Sequence, residues 1–318
     1  MPPAAVNSPA SQPLTEPIRW PAEAIRETVA PSLPGFTLEI LPEIDSSNSE
    51  LLRRFRGGAG AAPQLEPTLL VAEQQTAGRG RLGRHWQSRR GDSLTFSLGL
   101  PLQPADWSGL SLVVGISLAE SLDPDPSAKT RNPGAASIGL KWPNDLWLCD
   151  ARGERKLAGI LLETASWEGL RYAVVGVGIN IRPHALAAPA EVAAASPGAA
   201  MAALAPGCLQ DLLPGADAAQ TLLRVVPPLV QALQAFEQFG FAPFQARFAR
   251  RDVLLGRAVR LSDGTDGTAH GTGENGALRV LTSAGMKEIT SSEISVRPVV
   301  DLPPTASVAA DKKGGRPC

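Results

Sequence analysis

Between Ala72 and Trp86 the chain interleaves Gly78, Gly80 and Gly83 with Arg79, Arg81 and Arg84, and no further acidic residue follows until Asp92. Glycine lets backbone N–H groups come close to a ligand, and arginine offers a fork of donors matched to phosphate or carboxylate oxygens. The loop is suited to close over an anion. Gly78 to Gly83 also matches G-x-G-x-x-G, but a dinucleotide loop opens directly into a helix and is followed by an acidic residue at the end of the next strand. Here the chain runs on through His85 to Gly91, and the next helix starts near Asp106, so a dinucleotide site is rejected. The bland reading is an exposed basic hairpin with no ligand.

Three further segments carry chemistry-bearing residues. Lys141-Trp142-Pro143-Asn144-Asp145 lies at a strand end, where Pro143 turns the chain out of helical geometry; Asn144 and Asp145 could bind a ligand or merely form the turn. Lys156 opens the run Leu157-Ala158-Gly159-Ile160-Leu161-Leu162-Glu163, where a lysine would ordinarily reach out to solvent. Only six of the thirty basic residues are lysines, so two of them in these motifs point to a need for ammonium rather than guanidinium. Gly176-Val177-Gly178-Ile179-Asn180 ends a strand on an amide, which could equally be a strand kept small for packing.

The elements that must position these residues follow from periodicity. Trp20, Ile25 and Val29 suit a short helix, Phe36–Ile40 a strand, Asp45-Ser46-Ser47-Asn48 a polar turn, and Ser49 onward a second helix. Thr68–Ala72 and Ser93–Leu98 read as strands joined by the Arg/Gly loop, and 107–122 as a helix packed on the sheet. Strands at 139–142, 146–148, 157–163 and 172–181 bring the sheet to six or seven, with the Asp150–Glu154 turn closing a hairpin. Helix resumes at 220–239, where Pro227-Pro228 is expected to break or restart it. After Arg251, five short β-like runs between Gly, Asp and Ser turns predict a small β-barrel. The expected organisation is a disordered tail over 1–17, a catalytic domain over 18–251 with an Ala/Pro-rich insertion at 183–217, a barrel over 252–300, and a second tail over 301–318.

A length of 318 residues with 43% hydrophobic composition can bury a substantial core and a smaller second one. Net charge of -1 argues against bulk attraction to nucleic acid or acidic membrane, so the positive site is local. Cys149, Cys208 and Cys318 show no metal or redox spacing, and there is no signal-peptide or membrane-span pattern; a cytoplasmic protein without a metal centre of its own is expected.

Taken together, Asp45 to Asn48, the Arg/Gly loop, Lys141 to Asp145, Lys156 to Glu163, Gly176 to Asn180 and the terminal Ser292-Glu293-Ile294-Ser295-Val296-Arg297 closely resemble the biotin protein ligase family, over about residues 36–298. The resemblance implies an α+β fold: a mixed or antiparallel sheet packed against helices, of the class II synthetase kind, followed by a small SH3-like barrel. It implies that biotin and ATP, with Mg²⁺, give biotinyl-5'-AMP, which a lysine of a biotin carboxyl carrier protein then attacks; that carrier is the one of acetyl-CoA carboxylase, with those of other biotin-dependent carboxylases as further candidates. It places Ser46, Ser47, Asn48 and Gln75 at the biotin ring. Arg79, Gly80 and Arg81 fall at the carboxyl and adenylate phosphate, Arg84 at the leaving polyphosphate and Lys156 at the biotinyl carboxyl. Trp86 falls beside the adenine, with Asn144, Asn180 and Arg297 on the nucleotide side, and Lys141 and Asp145 near ATP, Mg²⁺ or the incoming lysine. The roughly 35 residues before the core are too short for the DNA-binding domain of bifunctional relatives, so a ligase without repressor activity or nucleic-acid partner is expected. An exposed sheet edge could serve a homodimer or the carrier. The competing readings are a lipoate or octanoate protein transferase, whose Arg-Arg-x-x-Gly-Gly-Gly signature is missing, and a non-catalytic biotin-binding regulator.

Overall fold

The computed structural model describes residues 17–57, 64–125, 134–183, 206–290 and 296–298. The expected tails, the body of the insertion, Cys318 and the Ser292–Ser295 part of the last motif lie outside these residues. Seven strands form one mixed sheet in the order β1-β2-β3-β7-β6-β5-β4: β1 (Thr37–Ile44), β2 (Thr68–Gln75), β3 (Ser93–Pro101), β4 (Ser137–Lys141), β5 (Asp145–Asp150), β6 (Gly153–Trp167) and β7 (Leu170–Asn180). Only the β1–β2 pair is parallel. The Arg/Gly loop joins antiparallel neighbours β2 and β3, and β5–β6 is the expected hairpin.

Strand alternation gives the sheet two different faces. Leu69 and Val71 of β2, with Ala173, Val175, Val177 and Ile179 of β7, face the main core, which is covered by α1 (Ala22–Val29), α3 (Leu110–Leu122) and α4 (Ala218–Phe239). On the other face Leu70, Tyr172 and Val174 meet Leu51, Leu52 and Phe55 of α2 (Ser47–Arg56), with Phe55 stacked on Tyr172 at 4.8 Å. Burial of each such side chain contributes roughly 1.5–3 kcal/mol, enough to anchor α2 and aim its N-terminus over the sheet. Further along β7 the same face turns to Gly176 and Gly178, and the site opens there.

Two expectations are corrected. The polar turn ends earlier than read: Ser46 is the N-cap, and Ser47 and Asn48 already belong to α2. Pro227 and Pro228 do not break α4, which runs unbroken through them. Each proline removes an N–H that would bond the carbonyl four residues back, here those of Leu223 and Arg224. Both lie on the half-exposed or exposed side of the helix, where water can replace the lost donor, while Val225, Val226, Leu229 and Val230 stay buried and hold the helix on its course.

Beyond α4 and the short α5 (Gln245–Ala249) the chain caps the free edge of β4: Leu140 N–H bonds Arg251 O at 2.7 Å, and Val253 N–H bonds Leu140 O at 3.0 Å. It then enters a five-stranded antiparallel sheet, β11-β10-β9-β8-β12, made of β8 (Ala258–Leu261), β9 (Asp266–Thr272), β10 (Leu278–Thr282), β11 (Gly285–Ile289) and β12 (Val296–Pro298). Among the described residues no helix is long and apolar enough to cross a membrane.

Asp252 sits at this junction, and burial pushes its carboxyl up to about 6 although Leu254 and Leu255 donate backbone N–H groups to it. A carboxyl that binds its proton more tightly folded than unfolded destabilises the fold above its folded pKa, and the penalty fades as pH falls from about 6 toward about 4. Asp252→Asn keeps an acceptor for the backbone donors. It should stabilise the protein by on the order of 2 kcal/mol at pH 8, a few degrees in melting temperature, with the gain gone near pH 4. Thermal melts of both proteins across pH check it; a gain that is constant with pH would contradict it.

Candidate functional site

The N-terminus of α2 lays a polar bed on the sheet. Ser46 caps the helix, accepting from Ser49 N–H at 3.4 Å. Ser47 donates from both its backbone N–H (2.8 Å) and its hydroxyl (3.1 Å) to Gln75 Oε1 at the end of β2. Asn48 donates from Nδ2 to Leu161 O at 3.1 Å and Glu163 Oε2 at 3.0 Å, so β6 fixes which way its amide points. Ser97 Oγ, fully buried, lies 2.6 Å from Asn48 Oδ1 and 2.7 Å from Ser47 Oγ, its single proton serving one at a time. Ser97 was not anticipated. Its signal was the polar phase Ser93, Thr95, Ser97 within an otherwise apolar strand. Gly176 makes room for this network, since a Cβ there would stand 2.2 Å from Asn48 Oδ1.

Above the bed the Arg/Gly loop is a small closed hairpin. Arg79 pairs with His85, Gly80 N–H bonds Arg84 O at 2.7 Å, and Trp86 N–H bonds Gly78 O at 2.9 Å. A 3-10 turn over Arg81–Gly83 forms the tip, with Leu82 and Gly83 at φ 56° and 70°. The hairpin leans on the sheet through Arg81 Nη1 to Asn144 Oδ1 at 3.2 Å and through an Arg79–Glu163 ion pair. Trp86 packs against the two facing glycines Gly159 and Gly178: a Cβ at Gly178 would be 2.3 Å from the indole, and one at Gly159 would be 3.6 Å from it. The indole Nε1 is buried and finds no acceptor among the described residues. A bound ligand is the group that could supply one.

Lys156 reaches this face through an irregularity in β6. The β5–β6 register pairs Asp145 with Gly159 and Leu146 with Ala158, then shifts, so that Trp147 pairs with Lys156 and Leu157 is the extra residue. Regular alternation would put Leu157 on the site face and Lys156 behind the sheet; the bulge turns Leu157 into the core and brings Lys156 beside Gly159. There its Nζ lies 2.7 Å from Asp145 Oδ1. Lys141 Nζ rests 4.6 Å from the centre of the Trp147 ring, and burial pushes its ammonium toward the neutral form, opposed by Asp145 and reinforced by Lys156, Arg84 and Arg297. Asn144 is locked to β6 by Nδ2 to Ile160 O at 2.8 Å and by Ile160 N–H to its own carbonyl at 3.0 Å. Trp142, joined to Pro143 by a cis peptide, donates Nε1 to Gly276 O at 3.0 Å, which ties the second sheet to this turn.

One cavity is thus lined by Ser46, Ser47, Asn48, Gln75, Arg79, Gly80, Arg81, Arg84, Trp86, Lys141, Asn144, Asp145 and Lys156. Asn180 and Arg297 are not among its walls. Asn180 is buried beneath it, and Arg297 lies exposed on β12, whose neighbour Val296 does line the cavity. Five cations face a single carboxylate, Asp145, across a polar bed. This arrangement can neutralise one anion while it is brought against another.

Residues 53–180 match the model of the biotin/lipoate A/B protein ligase family. The chain is 35% identical to the bifunctional ligase/repressor BirA of Escherichia coli, over 83% of this chain and 75% of that one. It is 31% identical to the biotin–[acetyl-CoA-carboxylase] ligase of Paracoccus denitrificans, over 80% of this chain and 98% of that one. Among solved structures it is similar to a biotin protein ligase from Aquifex aeolicus in complex with biotin and ATP, at 30% identity and a TM-score of 0.60, covering 83% of this chain and 99% of that one.

Proposed function

The chain belongs to the biotin protein ligase family and uses ATP to join biotin to a carrier lysine, and we propose that both steps occur in the cavity beneath the 78–86 hairpin. The observation that carries this reading is that Lys156, Arg81 and the Ser47–Gln75–Asn48 bed converge on one space floored by glycine.

In the first step an oxygen of the biotin carboxylate attacks the α-phosphorus of ATP, pyrophosphate leaves, and biotinyl-5'-AMP forms. Like charges must be held together, and Lys156 with Arg79, Arg81 and Arg84 supplies fixed positive charge that needs no reorganisation at the moment of reaction. Ser46, Ser47, Asn48 and Gln75 present donors and acceptors to the ureido ring. Trp86 offers an apolar face, and Asn144 takes the nucleotide side. In the second step the carrier amine attacks the mixed anhydride and AMP leaves. The cavity's one carboxylate suits Mg²⁺ arriving with ATP, an ion that keeps most of its waters and takes one or two protein carboxylates. Asp145 would hold it, and the ion would neutralise polyphosphate charge. We take 18–251 as the ligase domain and 252–300 as a module closing the site through Gly276, with the free edge of β1 available to a second copy or to the carrier.

Biotin- and ATP-dependent labelling of a biotin carboxyl carrier domain tests the assignment. Equal labelling with lipoate would favour the transferase reading, which the biotin-ligase relatives do not support.

The hairpin is also the site's cover. Arg81→Ala removes its contact with Asn144 and a charge-assisted hydrogen bond to the intermediate, a loss of about 1.5–3 kcal/mol. Release of free biotinyl-5'-AMP should rise roughly 10- to 100-fold. Filter binding of preformed adenylate measures it, and unchanged retention would remove the covering role.

A further inference from the structure

We infer that Glu163 is a latch between the cover and the floor of the site: one carboxylate oxygen, itself outside the cavity, holds Arg79 of the hairpin and Asn48 of the polar bed together. This deepens the ligase reading above and rests on it. Glu163 Oε2 pairs with Arg79 Nη2 and accepts from Asn48 Nδ2 at 3.0 Å. Arg79 and Asn48 both line the cavity, whereas Glu163 lies in an adjoining groove with Leu82, Gly83, Ser111 and Pro143. It is a positioning residue, not a substrate contact.

The strands put the carboxylate there. β5 pairs with β6 no further than Asp145 against Gly159, and beyond Ile160 it is the hairpin that meets β6 on that side. Gly159, Leu161 and Glu163 alternate onto the site face, opposite Gly178, Gly176 and Val174 of β7, and the Asn48 amide stands over Gly176. That amide has one favourable orientation. Nδ2 spends its two protons on Leu161 O at 3.1 Å and on Glu163, while Oδ1 lies 2.6 Å from Ser97 Oγ. A turned amide would set Oδ1 against two acceptors, one of them charged. At the other end, a guanidinium is a rigid fork, so its pair with Glu163 fixes the direction of the remaining donors that Arg79 brings to the cavity wall. Both bonds end on the same oxygen, so the cover closes on a bed whose polarity is already set.

The test pairs biotin-dependent ATP–pyrophosphate exchange with filter binding of the adenylate. Glu163→Ala should raise the KM for biotin roughly 5- to 10-fold, the worth of one hydrogen bond in the bed, and the release of free biotinyl-5'-AMP about fivefold, that of a partly exposed ion pair, with the KM for ATP within about twofold of the parent. Glu163→Gln separates the two ends. It keeps an acceptor for Asn48 but no charge for Arg79, so the KM for biotin should stay within about twofold while release still rises about threefold. In an Arg79→Ala background Glu163→Ala should add nothing to release yet still raise the KM for biotin. Release that grows by the same factor in both backgrounds would overturn the inference, as would a raised KM for ATP at an unchanged KM for biotin, the mark of a metal or nucleotide role. Should Glu163→Ala unfold at assay temperature, Glu163→Gln carries the same cycle. Absence of exchange in the parent chain would instead overturn the ligase reading and this inference with it.

Discussion

Lys156→Ala should lower the rate of biotinyl-5'-AMP formation by roughly 10²–10³-fold, the range seen when one preorganised donor to a developing charge is removed. The expected size follows from the surroundings of the ammonium. It lies 2.7 Å from Asp145, beside Gly159, under a hairpin that brings Arg81 to Asn144. Removal takes away one of the five cations that line the cavity, and with it the ammonium that pairs with Asp145. Without its ammonium partner that carboxylate also loses what fixes it where it would hold Mg²⁺ for the polyphosphate, so the variant is worse than a simple deletion of one contact. Lys156→Arg should rescue little, because the planar guanidinium is larger than the compact ammonium that fits against Gly159. Biotin-dependent exchange reports the first step, and transfer from supplied biotinyl-5'-AMP to a carrier domain reports the second. A loss below about threefold in both would remove Lys156 from the chemistry.

What could be read from the chain alone depended on whether the determinant was local. The strands of both sheets, the hairpin at Asp150–Glu154 and the helix over Leu110–Leu122 are written in short-range periodicity, and they stand close to where that periodicity puts them. The bulge at Leu157 is not. Lys-Leu-Ala-Gly-Ile reads as ordinary alternation, and only the register against β5 shows that the lysine changes face. Pro227-Pro228 misled for the complementary reason. Their local penalty is real, but burial of Val225, Val226, Leu229 and Val230 outweighs it, and the two orphaned carbonyls look outward. The cavity residues Arg79, Gly80, Arg81, Arg84, Lys141, Asn144, Asp145 and Lys156 stood out in the motifs, and Ser46, Ser47, Asn48, Gln75 and Trp86 followed from the family resemblance, whereas Ser97 was missed because a serine in a strand looks like filler. Asn180 was singled out, but its partners, Lys156 O and Gly207 O, come from distant parts of the chain that no motif links.

Gly178→Val should abolish most of the activity while leaving the fold in place. Valine is a good strand former, and β7 is a central strand with both neighbours paired, so the ladder itself has no reason to fail. The obstacle is the indole of Trp86. Even a Cβ at position 178 would lie 2.3 Å from Trp86 Cε2 and 2.8 Å from Nε1. The ring cannot slide away cheaply, because Trp86 N–H is bonded to Gly78 O at 2.9 Å and the hairpin above is closed by the Arg79–His85 pair. Either the ring leaves its floor or the hairpin that carries Arg79 and Arg81 lifts with it, and a misplacement of roughly 1 Å already costs about 10²-fold in rate. Exchange activity should therefore fall at least about 10²-fold, with the melting temperature within a few degrees of the parent. The cause is separable by removing the ring. In a Trp86→Ala background the clash is gone, so Gly178→Val should add little to the loss already caused by the missing indole. An undiminished further loss there would mean that the glycine floor meets the substrate directly, and that Trp86 is a bystander to its small size.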